Sequence, residues 1–271
     1  MIERLALAFS IPVIRYAFFG MLVAGGTLSL LGVIIVSLHL TAIRFTLMHV
    51  GLLGAAAGLS LGYSPTLGAF ILVIGTSVVM GRLGKEKSLS ASSVSGLFMT
   101  GSLAGAFLLL AATGVPAMNV FDIFAGNILL MTKGDLIFII VLGIGILGVF
   151  WVAYRELQLV LLDKDLARSL GLPVDAIVTG MFLLLGIGVA TALRLVGALL
   201  VDAIILLPGI AALRFARNFG MALFLSALFG VLACTGGFFL SLFFNLPLGA
   251  SAAMVSTLIL AMSVLMKRTI H

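Results

Sequence analysis

The sequence predicts an all-α protein that crosses a membrane eight or nine times, and three observations support this. Only 9% of the 271 residues are charged and 63% are hydrophobic, whereas about 25% of a typical soluble domain is charged. The charges stand in short clusters, and the apolar blocks between them approach the roughly 20 residues that one helical span needs. These blocks lack the alternation of a barrel strand, so helices are the expected spanning elements.

Nine candidate spans follow from the gaps between charges and from two turn sequences. Tyr63-Ser64-Pro65 interrupts one long uncharged stretch, and residues 245–249, Asn-Leu-Pro-Leu-Gly, interrupt another, because proline and glycine end helices. No soluble domain separates the spans, so we expect a single transmembrane domain over residues 1–271. The predicted spans cover residues 13–38, 46–61, 66–81, 93–113, 136–154, 176–193, 195–213, 219–243 and 249–266.

The basic residues predict which loops face the cytoplasm. If all nine segments cross, eleven Lys and Arg residues fall on one side and four on the other, and the richer side is cytoplasmic by the positive-inside rule. This distribution explains the net charge of +6, so we expect a multi-pass protein of a prokaryotic plasma or inner membrane with no nucleic-acid partner. The side of the N-terminus stays open. With nine spans and a cytoplasmic C-terminus the N-terminus would be external, but Arg4 and Arg15 favour the cytoplasmic side.

Enzymatic chemistry finds little support in the sequence. Residues 81–86, Gly-Arg-Leu-Gly-Lys-Glu, approach a phosphate-binding loop, but Val79 replaces its first glycine and Glu86 replaces the Ser or Thr that holds magnesium. No serine-hydrolase elbow, zinc-protease helix or paired-cysteine motif occurs, and there is one cysteine, Cys234. We therefore expect neither catalytic residues nor a resident cofactor.

Two polar side chains lie inside predicted spans. Asp202 stands in the otherwise uncharged 19-residue stretch 195–213, where hydrocarbon solvates a bare charge badly. His49 lies near the start of the second segment. Imidazole and carboxylate together suit zinc, manganese or iron, so both are predicted to be transient metal ligands. The alternatives are a backbone hydrogen bond or an interfacial position for His49, and a structural ion pair or hydroxyl partner for Asp202.

Residues 155–173 form the longest amphipathic connection between spans. The segment combines charges of both signs with an apolar stripe, and Gly171 and Pro173 close it, which predicts a helix. On the cytoplasmic side it could dock another protein. The alternative is an amphipathic helix that lies on the membrane surface.

Three stretches resemble the permease family of ABC importers for zinc, manganese and iron. Residues 44–54 are similar to the family segment Gly-Asp-x-x-x-His-x-x-x-x-Gly, and residues 162–173 to its cytoplasmic coupling loop, Asp-x-x-x-Ala-x-x-x-Gly. Residues 196–212 resemble the signature Val-Gly-x-x-Leu-x-x-x-Leu-Leu-x-x-Pro-Ala-x-x-Ala. Together these stretches extend the likeness over nearly the whole chain.

The resemblance implies an ATP-driven importer of which this chain is the permease domain. Such permeases form homodimers, receive a divalent ion from an external metal-binding protein, and dock cytoplasmic ATPase subunits that bind ATP and magnesium. Coupling to the ATPase would involve loop residues Asp163, Lys164, Asp165, Ala167, Arg168 and Gly171.

One residue departs from the family pattern. Phe45 stands four residues before His49, where the family usually has aspartate, so the carboxylate of Asp202 could supply the missing ligand from another helix. The departure keeps a permease for a metal chelate, such as a siderophore or corrinoid, as an alternative. An ion-coupled secondary transporter with Asp202 as coupling carboxylate and a membrane-embedded enzyme are further alternatives.

Overall fold

The computed structural model describes residues 9–83, 91–116, 118 and 131–268. Within its helices the side chains of residues 83, 91, 194–196, 198, 199, 202, 267 and 268 lie outside the description. The described residues form helices and no strand, so the predicted all-α class is confirmed. The helices are α1 Pro12–Ser37, α2 Ile43–Ser60, α3 Pro65–Leu83, α4 Ala91–Thr113, α5 Lys133–Val152, α6 Tyr154–Leu162, α7 Lys164–Ser169, α8 Val174–Val196, α9 Ala198–Phe215, α10 Phe219–Phe244 and α11 Leu248–Arg268.

All nine predicted spans fall on helices of the described chain. Eight of these helices, α1 to α5, α8, α10 and α11, are long and apolar enough to cross a membrane. The ninth, α9, contains a shorter apolar run, Ala203–Phe215, among the residues whose side chains are described. The predicted bundle of eight or nine apolar helices is therefore confirmed.

Two helix boundaries differ from the prediction, and both have a local cause. The sequence places the break between α8 and α9 at the charge of Arg194, but the helix continues to Val196 and ends at Gly197, whose φ is +84°. Glycine adopts this backbone conformation without a Cβ clash. The predicted single helix within 155–173 is two helices, because Asp163 has extended backbone angles, φ −154° and ψ 110°.

The described parts of residues 1–33, 126–149 and 195–271 form one compact unit. Its helices approach closely at glycines: a Cβ added to Gly32 in α1 would overlap the carbonyl oxygen of Ile205 in α9, and one added to Gly25 would overlap Gly230 in α10. Such contacts replace the hydrophobic effect as the force that holds helices together in lipid. The unit is thus packed backbone against backbone.

The described parts of residues 34–125 and 150–194 form a second compact unit. Gly54 in α2 lies against the backbone of Gly68 in α3, and the hydroxyl of Thr46 in α2 donates a hydrogen bond to the carbonyl of Ser95 in α4, 3.0 Å away. A buried apolar cluster joins α2 to α4 through Leu52, Ala55, Ala56, Ala106 and Leu110. This unit contains His49 and the whole 155–173 segment.

Candidate functional site

His49 lies in the second turn of α2 and is partly buried. Its Nδ1 is 2.7 Å from the carbonyl oxygen of Phe45. A carbonyl can only accept, so the proton of this hydrogen bond belongs to Nδ1. In the neutral ring Nε2 then keeps its lone pair, which is the arrangement that metal-binding histidines use, with the second nitrogen fixed by a backbone carbonyl.

A cation and an aromatic ring occupy the helix turn before His49. The guanidinium carbon of Arg44 lies 4.3 Å from the ring centroid of Phe45, within the range of a cation–π interaction. Nε of Arg44 also donates to the carbonyl of Thr41 at 3.2 Å. Since residues i and i+4 share a helix face, the face that would bring an aspartate to His49 carries an aromatic ring instead.

The residues that the structure describes do not bring a complete set of metal ligands together. Among the residues it describes, no three His, Cys, Asp or Glu side chains are grouped to hold an ion. Asp202 belongs to the second turn of α9, but its side chain lies outside the described residues. The pairing of Asp202 with His49 therefore stays a prediction.

The segment between α5 and α8 is a short, capped, two-helix element, α6 and α7. The Asp163 carboxylate accepts hydrogen bonds from the backbone N–H groups of Asp165, at 2.9 Å, and Leu166, at 3.0 Å. This is an N-cap, which satisfies donors that a helix start leaves unpaired. The Asp163 side chain thus sets where α7 begins.

The C-terminal end of α7 is fixed by Gly171. Its φ is +82°, and backbone hydrogen bonds run from Leu172 N–H to the Ala167 carbonyl, 3.1 Å, and from Gly171 N–H to the Arg168 carbonyl, 3.0 Å. This pair of bonds is a Schellman motif, which favours glycine at the left-handed position. The helix has only six residues, so both caps carry much of the stability of α7.

We expect Gly171→Val to unravel the end of α7. A β-branched residue at this φ costs at least about 1–2 kcal/mol, a large share for a six-residue helix. Hydrogen–deuterium exchange of the amides of Gly171 and Leu172 should accelerate several-fold, whereas Gly171→Asn, which tolerates the same backbone angles, should change exchange much less. Equal protection in the valine variant and the parent chain would contradict the assigned cap.

The side chains of α7 point in distinct directions. Ala167 is fully buried and packs inward, while Lys164 and Asp165 are exposed. Arg168 pairs within the chain, with Asp165 at 3.3 Å and with Asp175 in the first turn of α8 at 3.1 Å. The side chains of both pairs are at least 49% exposed, so each pair contributes little stability but orients the guanidinium.

Sequence reasoning missed two features of this element. One is the ion pair of Arg168 with Asp175, which lies seven residues later in another helix. No local sequence pattern predicts this pair. The other is a set of exposed leucines, Leu162 at 78%, Leu166 at 45% and Leu170 at 63% of their maximal accessible area. They belong to the apolar stripe that the sequence shows, but the extended backbone at Asp163 separates Leu162 from α7, so their spacing in sequence does not reveal that all three are exposed. We call Leu162, Leu166 and Leu170 the leucine patch.

Apolar helices joined through glycine contacts, with a capped element between two spans, define a polytopic membrane protein. The chain belongs to the ABC 3 transport family, whose profile matches residues 10–267. The predicted family is thereby confirmed, as is the predicted location in the plasma membrane as a multi-pass protein. Within an ABC transporter the chain is the permease component.

Named relatives and a solved structure agree with this assignment. The chain is 27% identical over 215 residues to the manganese transport system membrane protein MntC of Halalkalibacterium halodurans, covering 79% of this chain and 74% of that protein. It is 25% identical over 245 residues to the high-affinity zinc uptake system membrane protein ZnuB of Buchnera aphidicola, covering 89% and 94%. In fold it is similar to a chain of PsaBC from Streptococcus pneumoniae in complex with Fab, with a TM-score of 0.83, 23% identity and coverage of 97% and 95%.

Proposed function

We propose that this chain is the membrane-spanning subunit of an importer for a divalent transition-metal ion, with manganese and zinc the first to be tested. The observation that carries the proposal is the family match over residues 10–267 together with relatives named for manganese and zinc transport. The partly buried imidazole of His49 agrees with such a substrate, because imidazole binds both metals. The metal is a passing substrate, so no resident cofactor is assigned to the chain.

The energy for transport comes from a partner. A cytoplasmic ATPase subunit binds ATP and magnesium, its closure moves the permease, and the permease opens alternately to the two sides of the membrane. A binding protein outside the membrane delivers the ion, and two copies of this chain form the pathway. Tight glycine contacts suit this mechanism, because closely packed helices move as bodies between discrete arrangements.

His49 acts as a transient ligand in this mechanism. The hydrogen bond from Nδ1 to the Phe45 carbonyl fixes the ring, so Nε2 can bind an ion without first ordering the side chain. A site with few protein ligands holds the ion loosely, and transport needs a site that also releases it. Asp202 supplies a carboxylate from α9, which would compensate for Phe45 at the usual aspartate position.

The two-helix element docks the ATPase. Asp163 and Gly171 hold the shape of α7, and Ala167 fixes α7 onto the body of its unit. The leucine patch offers an apolar surface that a protein partner can cover. Lys164 and Asp165 provide exposed charges beside it, and Arg168, held by Asp165 and Asp175, links α7 to α8.

Uptake by a reconstituted system tests the proposal directly. Proteoliposomes containing the permease, its ATPase and its external binding protein should accumulate radioactive manganese or zinc only with ATP inside and with an ATPase that can hydrolyse it. The matched control carries an ATPase whose catalytic glutamate is replaced by glutamine. Accumulation of a ferric siderophore or a corrinoid with no uptake of free ions would contradict the proposal, as would uptake driven by a proton gradient without ATP.

A further inference from the structure

An open cleft of about 740 Å³ lies where α3 ends and α8 begins. The two helices pack antiparallel, because Gly186 meets Ser77 deeper along them and Gly81 meets Thr179 near the cleft. Both helices are long and apolar enough to span the membrane, so their shared end lies at a membrane surface. The volume falls in the usual range of small-molecule sites, about 300–1,000 Å³.

Two guanidinium groups line this cleft. Arg82 is exposed in the last turn of α3, and none of the described residues forms an ion pair with it. Arg168 donates to Asp165 and Asp175, but a guanidinium has five N–H donors, so donors remain. The N-terminal turn of α8 also faces the cleft through Val174, Asp175 and Ala176, and a helix start favours anions.

An exposed apolar stripe on α3 runs toward the end of the helix at which the cleft lies. Leu67, Ile71 and Val79 are 62%, 68% and 43% exposed. Gly75 completes their four-residue spacing, and a Cβ added to it would meet nothing within 4 Å. From Ile71 to Val79 the stripe runs about 12 Å at 1.5 Å per residue. This approaches the thickness of one leaflet of a hydrocarbon core of about 30 Å.

We propose that the cleft binds the phosphate headgroup of an anionic phospholipid, with an acyl chain along the Leu67–Val79 stripe. Arg82 would neutralise the phosphate from α3, and Arg168 would donate to it from α7. Arginines at the end of a span extend toward the headgroups, and basic pockets between spans recognise anionic lipids. Asp175 subtracts one charge from the cleft, so Arg82 supplies the decisive positive charge.

Lipid titrations followed by native mass spectrometry test this site on the full chain in detergent. The probes are dioleoyl phosphatidylglycerol, dioleoyl phosphatidylcholine and inorganic phosphate. The parent chain should bind the first of these about fivefold more tightly than the second, and Arg82→Ala and Arg82→Gln should lose that preference. Arg82→Lys should keep it, and so should Arg155→Ala, which removes an exposed charge from α6 outside the cleft.

Three results would overturn the proposal. The first is unchanged lipid preference in both neutral Arg82 variants, or an equal loss in Arg155→Ala. The second is displacement of the lipid by inorganic phosphate at matched concentration, which would make this a site for free phosphate. The third is displacement of the lipid when the ATPase subunit is added, which would assign the cleft to an acidic side chain of that protein. Since the readout is lipid binding, these outcomes are independent of whether the chain carries metal.

Discussion

Replacing His49 with alanine is expected to lower metal uptake by about 100-fold or more, while ATP hydrolysis by the assembled complex stays unchanged. A transient site built from few ligands loses most of its metal affinity when one ligand is removed. Even mutation of residues that only hydrogen-bond to the ligands lowers metal affinity or activity by about 10–100-fold. The hydrogen bond to the Phe45 carbonyl is a contact within one helix, so its loss should not affect folding. Radioactive manganese and zinc uptake in proteoliposomes measures the effect.

The chain offers a matched control for this substitution. His39 lies in the turn between α1 and α2, is exposed, and has a φ of 56°, which asparagine also tolerates. His39→Asn removes a second imidazole outside the spans and should leave uptake at the parent level. Normal uptake in His49→Ala, or an equal loss in the His39 variant, would remove His49 from the pathway.

Asp202→Asn extends the same test to the predicted ligand whose side chain lies outside the described residues. A carboxylate that serves as a ligand should give a loss comparable to that of His49→Ala, and the double variant should be little worse than either single one, because ligands of one site are not additive. If the fold-losses of uptake in the two single variants multiply in the double variant, the two residues act independently and do not form one site.

The spans could be predicted because the hydropathy that marks them can be read along the chain without knowledge of tertiary contacts. Length and hydropathy along the chain decide whether a helix can cross a bilayer, and the nine predicted segments all fall on helices. The charge of Arg194 predicts the wrong end for α8. The backbone of Gly197, with φ +84°, ends α8 three residues after Arg194, and a long arginine side chain can remain in a helix near its end.

The site was harder to predict because its contacts join residues far apart in sequence or in different helices. The cap at Asp163 has a local signal, an aspartate that precedes a helical run, and could have been found. The Arg168–Asp175 pair and the meeting of Arg82 with Thr179 at one cleft depend on how α3, α7 and α8 pack. Hydropathy carries no information on such contacts.

Placing glutamate at Leu166 and Leu170 together is expected to prevent the ATPase subunit from binding. Both leucines are exposed, at 45% and 63%, so a charge at either position can reach solvent and the permease itself should fold normally. Two truncated or charged anchors at an interface cost about 2 kcal/mol or more each, which corresponds to at least a several-hundredfold weaker complex. Affinity copurification of the two subunits and uptake in proteoliposomes measure the loss.

The matched control is Leu61→Glu, which introduces the same chemistry at a leucine 70% exposed in the turn between α2 and α3. If the leucine patch is the docking surface, the Leu61 variant should retain the ATPase and transport metal, because a charge in an exposed turn leaves the patch intact. Retention of the ATPase by the Leu166→Glu/Leu170→Glu chain would instead assign α6 and α7 to the membrane surface. In that case the two glutamates should weaken association of this element with anionic vesicles, a result that the docking proposal does not give.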